Sequence, residues 1–240
     1  MNLVPLILLS PDLLLIAAAV IPALVLLVFV YRQDSLEKES PKLLFKLVAF
    51  GAASTALAEA AETAGIAILP YISAPGSTKY YFLLFFFVVG LAEEGFKYLL
   101  MRSCTWRSSE FNCLFDGVVF AVFTSLGFAL WENISYVISY GLSTAIARAL
   151  TAVPGHACFG VFMGSFYGAA KRCEMKGDAS GSLKNRILAV VIPMLLHGAY
   201  DFIASDDIVP TFIFIIFIAL MFVSAYRRVK KISAKDEYIA

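Results

Sequence analysis

The chain has 240 residues, of which 60% are hydrophobic and 15% charged, with a formal net charge of +1. A soluble domain carries about 45–50% apolar and about 25% charged residues, and a disordered chain needs low hydrophobicity and high net charge, so both classes are excluded. The small net charge gives no reason to expect nucleic acid as a partner, and what remains is a multi-pass protein of the lipid bilayer without a large soluble domain.

A crossing takes about 20 apolar residues, and the chain offers seven such stretches. The first covers 12–31, with Pro22 as a tolerated kink. The opening Met1-Asn2-Leu3-Val4-Pro5 lacks the basic region of a signal peptide, so this stretch reads as a true first span. The others run over about 43–69, 79–101, 112–138, 144–170, 187–204 and 208–226.

The connections alternate in charge. The first holds Arg32, Lys38, Lys42 and Lys46, the second only Lys79, the third Arg102 and Arg107, and the fourth only Arg148. The fifth holds Lys171, Arg172, Lys176, Lys184 and Arg186; the sixth has only Asp206 and Asp207. The tail carries Arg227, Arg228, Lys230, Lys231 and Lys235. By the positive-inside rule the amino terminus is outside and the carboxyl terminus cytoplasmic. The expected fold is all-α, a single seven-span transmembrane bundle over residues 1–240. Cys104, Cys113, Cys158 and Cys173 show neither zinc-finger nor disulfide spacing and read as plain thiols.

Ionisable residues inside spans are costly and mark function by default. The third span holds Glu93-Glu94-Gly95-Phe96-Lys97, with Glu93 and Lys97 on one helix face. Two acids beside one cation leave a carboxylate unmatched, which is the setting for a general base. The fourth span carries Phe128-Ala129-Leu130-Trp131-Glu132-Asn133, towards its outer end, where an interfacial role is equally open. Asp116, near the inner end of the same span, reads as a helix-start residue. The fifth holds His156 beside Pro154-Gly155, expected to interrupt the helix, and then Gly160, Gly164 and Gly168, a packing groove. The sixth holds His197 and Asp201, four apart, so that the acid can orient the ring. Glu59 and Glu62, three apart in the second span, either line the same cavity or cap a polar seam.

Depth counted at about 1.5 Å per residue places both histidines and the Glu pair close enough to converge in one pocket. Glutamate, aspartate and imidazole there can activate water with or without a metal, and the set also suits zinc. The common His-Glu-x-x-His zinc motif is absent.

From Val89 to Phe202 the sequence resembles the PrsW-like intramembrane proteases, a branch of the wider group of CAAX-prenyl proteases and bacteriocin-immunity proteins. Four motifs carry the resemblance: Glu93-Glu94-Gly95-Phe96-Lys97, Phe128 with Glu132-Asn133, His156 with Gly160, and His197 with Asp201. The resemblance implies a catalytic core over about 79–204 in a prokaryotic plasma membrane, cleaving membrane-embedded or membrane-near proteins. It implies Glu93 or Glu94 as the water-activating residue, assisted by His156. His197 would polarise the scissile carbonyl and Asp201 would orient it, with Lys97, Glu132 and Asn133 in support. A zinc ion, if used, would sit on His156, His197 and Glu93. Two other classes stay open: a proton-coupled transporter, for which no inverted repeat is visible, and a non-catalytic immunity-type protein.

Overall fold

The computed structural model describes residues 11–205 and 209–239. The expectations about Met1–Pro5, Asp206 and Asp207 fall outside them. Helices dominate: α1 (Pro11–Gln33), α2 (Pro41–Ile68), α3 (Thr78–Leu83), α4 (Leu91–Thr105), α5 (Asp116–Tyr140), α6 (Leu142–Leu150), α7 (Ala152–Met175), α8 (Ala179–Ser205) and α9 (Thr211–Ser233). Among the described residues, 6 helical stretches are long and apolar enough to cross a membrane.

The start of α2 shows how local sequence sets these boundaries. Ser40 caps it by accepting from the Leu43 N–H at 3.2 Å, and Pro41 fills the first helical position, where no N–H is needed. Its far end tightens into a 3₁₀ turn, Leu69–Tyr71, at Pro70.

Two expected spans differ in detail. The stretch over 79–101 is not one α-helix: a π-helical segment, Leu84–Gly90, separates α3 from α4. A π turn is wider than an α turn, so it re-aims everything beyond it, including Glu93 and Glu94. The other difference is the break before His156. It falls at Thr151, between α6 and α7, and not at Pro154-Gly155. Pro154 sits in the first turn of α7, where its missing N–H has no carbonyl to serve.

The buried centre of the bundle is α5, in which every residue from Asp116 to Ala129 is buried. It packs most extensively against α7 and α2. Close approach is possible because the glycines expected to form a groove do so. A Cβ on Gly160 would lie 2.9 Å from the Val122 Cα, and one on Gly164 or Gly168 would collide with the backbone of Gly117 or Leu114. Likewise Gly198 of α8 lets the π segment touch it, since a Cβ there would lie 2.8 Å from the Phe86 Cα. Large apolar side chains of α1 and α9, such as Val25, Phe212 and Leu220, point outward, as a lipid-facing surface requires.

Asp116 begins α5 as expected, with its Oδ2 accepting from the backbone N–H groups of Asn112 (2.9 Å) and Cys113 (2.7 Å). All four cysteines are free thiols.

Candidate active site

The π segment delivers Glu93 and Glu94 into the first turn of α4, and Lys97 follows on the same side one turn later. Lys97 is fully buried. Its Nζ donates to Glu93 Oε2 at 3.0 Å, to Glu94 Oε1 at 2.7 Å and to His156 Nδ1 at 3.2 Å. An ammonium has three N–H donors, so all are used. The Phe128 ring covers another side, its centroid 3.8 Å from Nζ.

This network assigns the tautomer of His156. Lys97 can only donate, so Nδ1 accepts and the proton sits on Nε2. That N–H donates to Glu132 Oε2 at 2.9 Å. Glu132 is therefore part of the polar centre. Its Oε2 also pairs with Arg148 at 2.8 Å. Arg148 Nε donates to Asn133 Oδ1 at 3.1 Å, and Asn133 Nδ2 donates to the Ala19 carbonyl at 2.9 Å, tying α1 to the site.

From α8, His197 Nδ1 lies 3.0 Å from Glu94 Oε1 and 3.8 Å from Glu93 Oε2. The carboxylates cannot donate, so this Nδ1 carries a proton here. On the other side Nε2 faces Asp201 Oδ2 at 3.4 Å. The ring stacks on Phe159 with centroids 4.8 Å apart and stands perpendicular to His156 at 5.3 Å.

All eight residues expected at the site thus belong to one connected network. Beside it lies a polar cavity of about 280 Å³ lined by Glu62, Glu93, Glu132, Arg148, His156, His197, Tyr200 and Asp201, among others. The glutamate pair is divided: Glu93 lines this cavity, whereas Glu94 is 0% exposed and does not. Of the two acids of α2, only Glu62 reaches the cavity; Glu59 is exposed. Arg148 is the residue that sequence reasoning missed. Its signal was its position: a lone cation on a connection that the charge rule places outside.

The donor set suits a metal ion. Glu93, Glu94, His156 and His197 each offer a ligand atom, all within 4.8 Å of one another. His197 turns Nδ1 toward Glu94, His156 turns Nδ1 toward the Lys97 ammonium that both glutamates share, and each Nε2 faces a carboxylate, Glu132 or Asp201. That is how metal-binding histidines are usually held by a carboxylate behind the ring. Glu94 Oε2 is buried without a hydrogen-bond partner, leaving a lone pair available.

Comparison with known proteins identifies the family. Residues 39–226 match the family described as PrsW family intramembrane metalloprotease. The "Protease PrsW" of Oceanobacillus iheyensis is 34% identical over 223 residues, covering 90% of this chain and 95% of that protein. The protein of the same name in Shouchella clausii is 34% identical over 194 residues, 80% of this chain and 84% of its own length. That of Bacillus subtilis is 38% identical over 124 residues, 52% of this chain and 55% of its own. No solved structure matches. The chain is a multi-pass membrane protein belonging to the PrsW family of intramembrane metalloproteases.

Proposed function

We propose that the protein hydrolyses peptide bonds of membrane-embedded or membrane-near proteins, with Glu93 as the base that takes a proton from water. The observation that carries this reading is the division of the glutamate pair: Glu93 borders a polar cavity and Glu94 does not. A base must reach the water that it deprotonates. Lys97 holds both carboxylates in place from its buried position. His156 lies beside Glu93 at the cavity wall and shuttles protons through the Glu132 contact. His197 and Arg148 line the same cavity and supply donors for the oxyanion. Asp201 fixes the His197 ring.

A zinc ion would be held by His156, His197 and Glu94, whose Oε2 has no other partner; it would take the place of the His197 Nδ1 proton and of the Lys97 contact on His156, and the two rings would then serve as ligands, leaving Arg148 as the oxyanion donor. When bound there it would polarise the scissile carbonyl and acidify water. Glu94 thereby replaces Glu93 as the favoured carboxylate ligand and leaves Glu93 free for proton transfer.

The test is cleavage of a tagged, co-expressed membrane substrate by Glu93→Gln, Glu94→Gln and His156→Ala variants. Glu93→Gln is expected to lose about 10²-fold or more in rate, the usual size of a general-base contribution. Normal cutting by all three variants would overturn the protease reading. Solute flux in proteoliposomes that depends on the same residues would favour transport instead.

The proposed topology is seven crossings with the carboxyl terminus cytoplasmic. The alternation of Lys and Arg supports the orientation, and the segments that meet at one end of the bundle support the crossings. Ser40 bonds Glu110 at 2.6 Å, Lys171 bonds the Trp106 carbonyl at 3.1 Å, Ser233 bonds the Gln33 carbonyl at 2.5 Å, and Ile239 bonds the Asn112 carbonyl at 2.7 Å. The chain must therefore leave that end through α2 and return to it through residues 78–105. That stretch is about 42 Å long at 1.5 Å per residue, enough to cross despite its π segment.

A further inference from the structure

A second group of acids occupies that same end, far from the candidate active site. It is about 24 Å from Glu132 measured along α5 from Asp116. Asp34, just after α1, is 2% exposed, and Glu39, just before α2, is 5% exposed. Their side chains face each other within hydrogen-bonding reach. Among the described residues none of their four carboxyl oxygens has a well-formed hydrogen bond, and the one backbone N–H that bears on the pair is that of Glu39 itself.

The surroundings deepen the imbalance. Asp116 and Asp236 add negative charge nearby. Asp116 Oδ2 and Asp236 Oδ1 are taken up by backbone N–H groups, the latter by that of Phe115 at 2.8 Å. Asp236 Oδ2 is buried and unpartnered. Glu37 turns away to accept from Asn112 at 3.1 Å. Lys38 spends its ammonium on the backbone carbonyls of Tyr31 and Asp34, not on either carboxylate.

Two carboxylates buried together without well-formed hydrogen bonds need a proton or a cation between them. The unpartnered atoms are all oxygens, with no imidazole or thiolate among them, which selects hard cations over zinc. Two carboxylates completed by water are a common magnesium shell, and calcium accepts the same donors with more water.

We infer that Asp34 and Glu39 bind a hard divalent cation of the magnesium or calcium class, where the α1–α2 connection meets the start of α5 and the carboxyl-terminal tail. The ion closes the negative cluster and fastens α1 and the tail to the buried helix α5. Its donors and its place in the fold separate it from any ion held by His156 and His197.

The test uses the full chain, purified and treated with chelator. Thermal unfolding is followed as Mg²⁺ or Ca²⁺ is added. A saturable rise of several degrees is expected. It should vanish in Asp34→Asn/Glu39→Gln and persist in His156→Ala/His197→Ala. Spin resonance of Mn²⁺ gives a direct reading on the unaltered chain: bound Mn²⁺ should be displaced by Mg²⁺ and survive loss of the two histidines. No response to either cation and no bound Mn²⁺ would overturn the inference. So would an undiminished response in Asp34→Asn/Glu39→Gln. If that variant is the more stable without cation and the unaltered chain ignores cations, a shared proton holds the pair, and the inference fails.

Discussion

Lys97 carries more of the polar centre than any other single residue. Among the described residues it alone hydrogen-bonds Glu93 Oε2, at 3.0 Å, and it contacts three of the four candidate ligands at once. Removing one partner of a buried ion pair costs about 3–5 kcal/mol, because the remaining charge stays buried. Lys97→Met should therefore destabilise the protein by about that amount. Adding Glu93→Gln to it should recover part of the loss, since one stranded charge disappears. Unfolding in mixed detergent micelles measures both. The acids behind the imidazoles act differently, because each touches a ring nitrogen on the side away from the glutamates. Glu132→Gln and Asp201→Asn should leave the fold intact and weaken retention of the proposed zinc ion by about 10–100-fold, the usual effect of losing such a partner. Competition against a chromophoric chelator reads this without any substrate. The residues of this network were largely legible in the chain, since four-residue spacing places Glu93 by Lys97 and His197 by Asp201. Arg148 was not legible as a partner, because only folding brings α6 beside Glu132.

At the level of elements, the site exists because helices approach one another more closely than ordinary side chains allow. Gly164 packs directly on the backbone of α5, while Gly95 has nothing within 4 Å of an added Cβ. Gly164→Ala should lower thermal stability, and Gly95→Ala should leave it unchanged or raise it by up to about 1 kcal/mol through helix propensity. Unfolding of the two variants side by side checks the contrast. Gly198 poses the sharper case. A Cβ there meets Phe86 of the π segment, so Gly198→Ala should push α8 away from the chain leading to Glu93 and Glu94. Cleavage should fall more than stability does, since His197 sits one residue before the wedge. The glycine groove of α7 was legible from its period of four. The π segment was not, because a run of Leu, Phe and Val reads equally well as α-helix. Nor was the break at Thr151, where Pro154-Gly155 is the stronger local signal and the proline is absorbed into a first turn.

At the scale of the molecule, charge separates by position. Most cations lie towards the ends of helices or on the connections between them, while Glu93, Glu94 and His197 are buried in the bundle. The alternation of Lys and Arg predicts which connections share a face of the membrane, and the contacts at one end of the bundle group the same connections together; these are independent arguments. One rests on loop composition and the other on Ser40, Lys171 and Ile239 meeting the connection between α4 and α5. Their agreement gives a definite labelling pattern. The four native cysteines are replaced, and single cysteines are placed at Ala74, Ser143, Lys176 and Ala234, all exposed positions. An impermeant maleimide should label Ala74→Cys and Ser143→Cys in intact cells. Lys176→Cys and Ala234→Cys should label only after permeabilisation. If Ala74 and Lys176 label from the same side, residues 78–105 do not cross and the seven-span topology fails. If the pattern is complete but reversed, the crossings stand and the orientation is inverted. The cavity bordered by Glu93 would then be reached from the opposite face, and the substrates cleaved there would have to come from that side of the membrane.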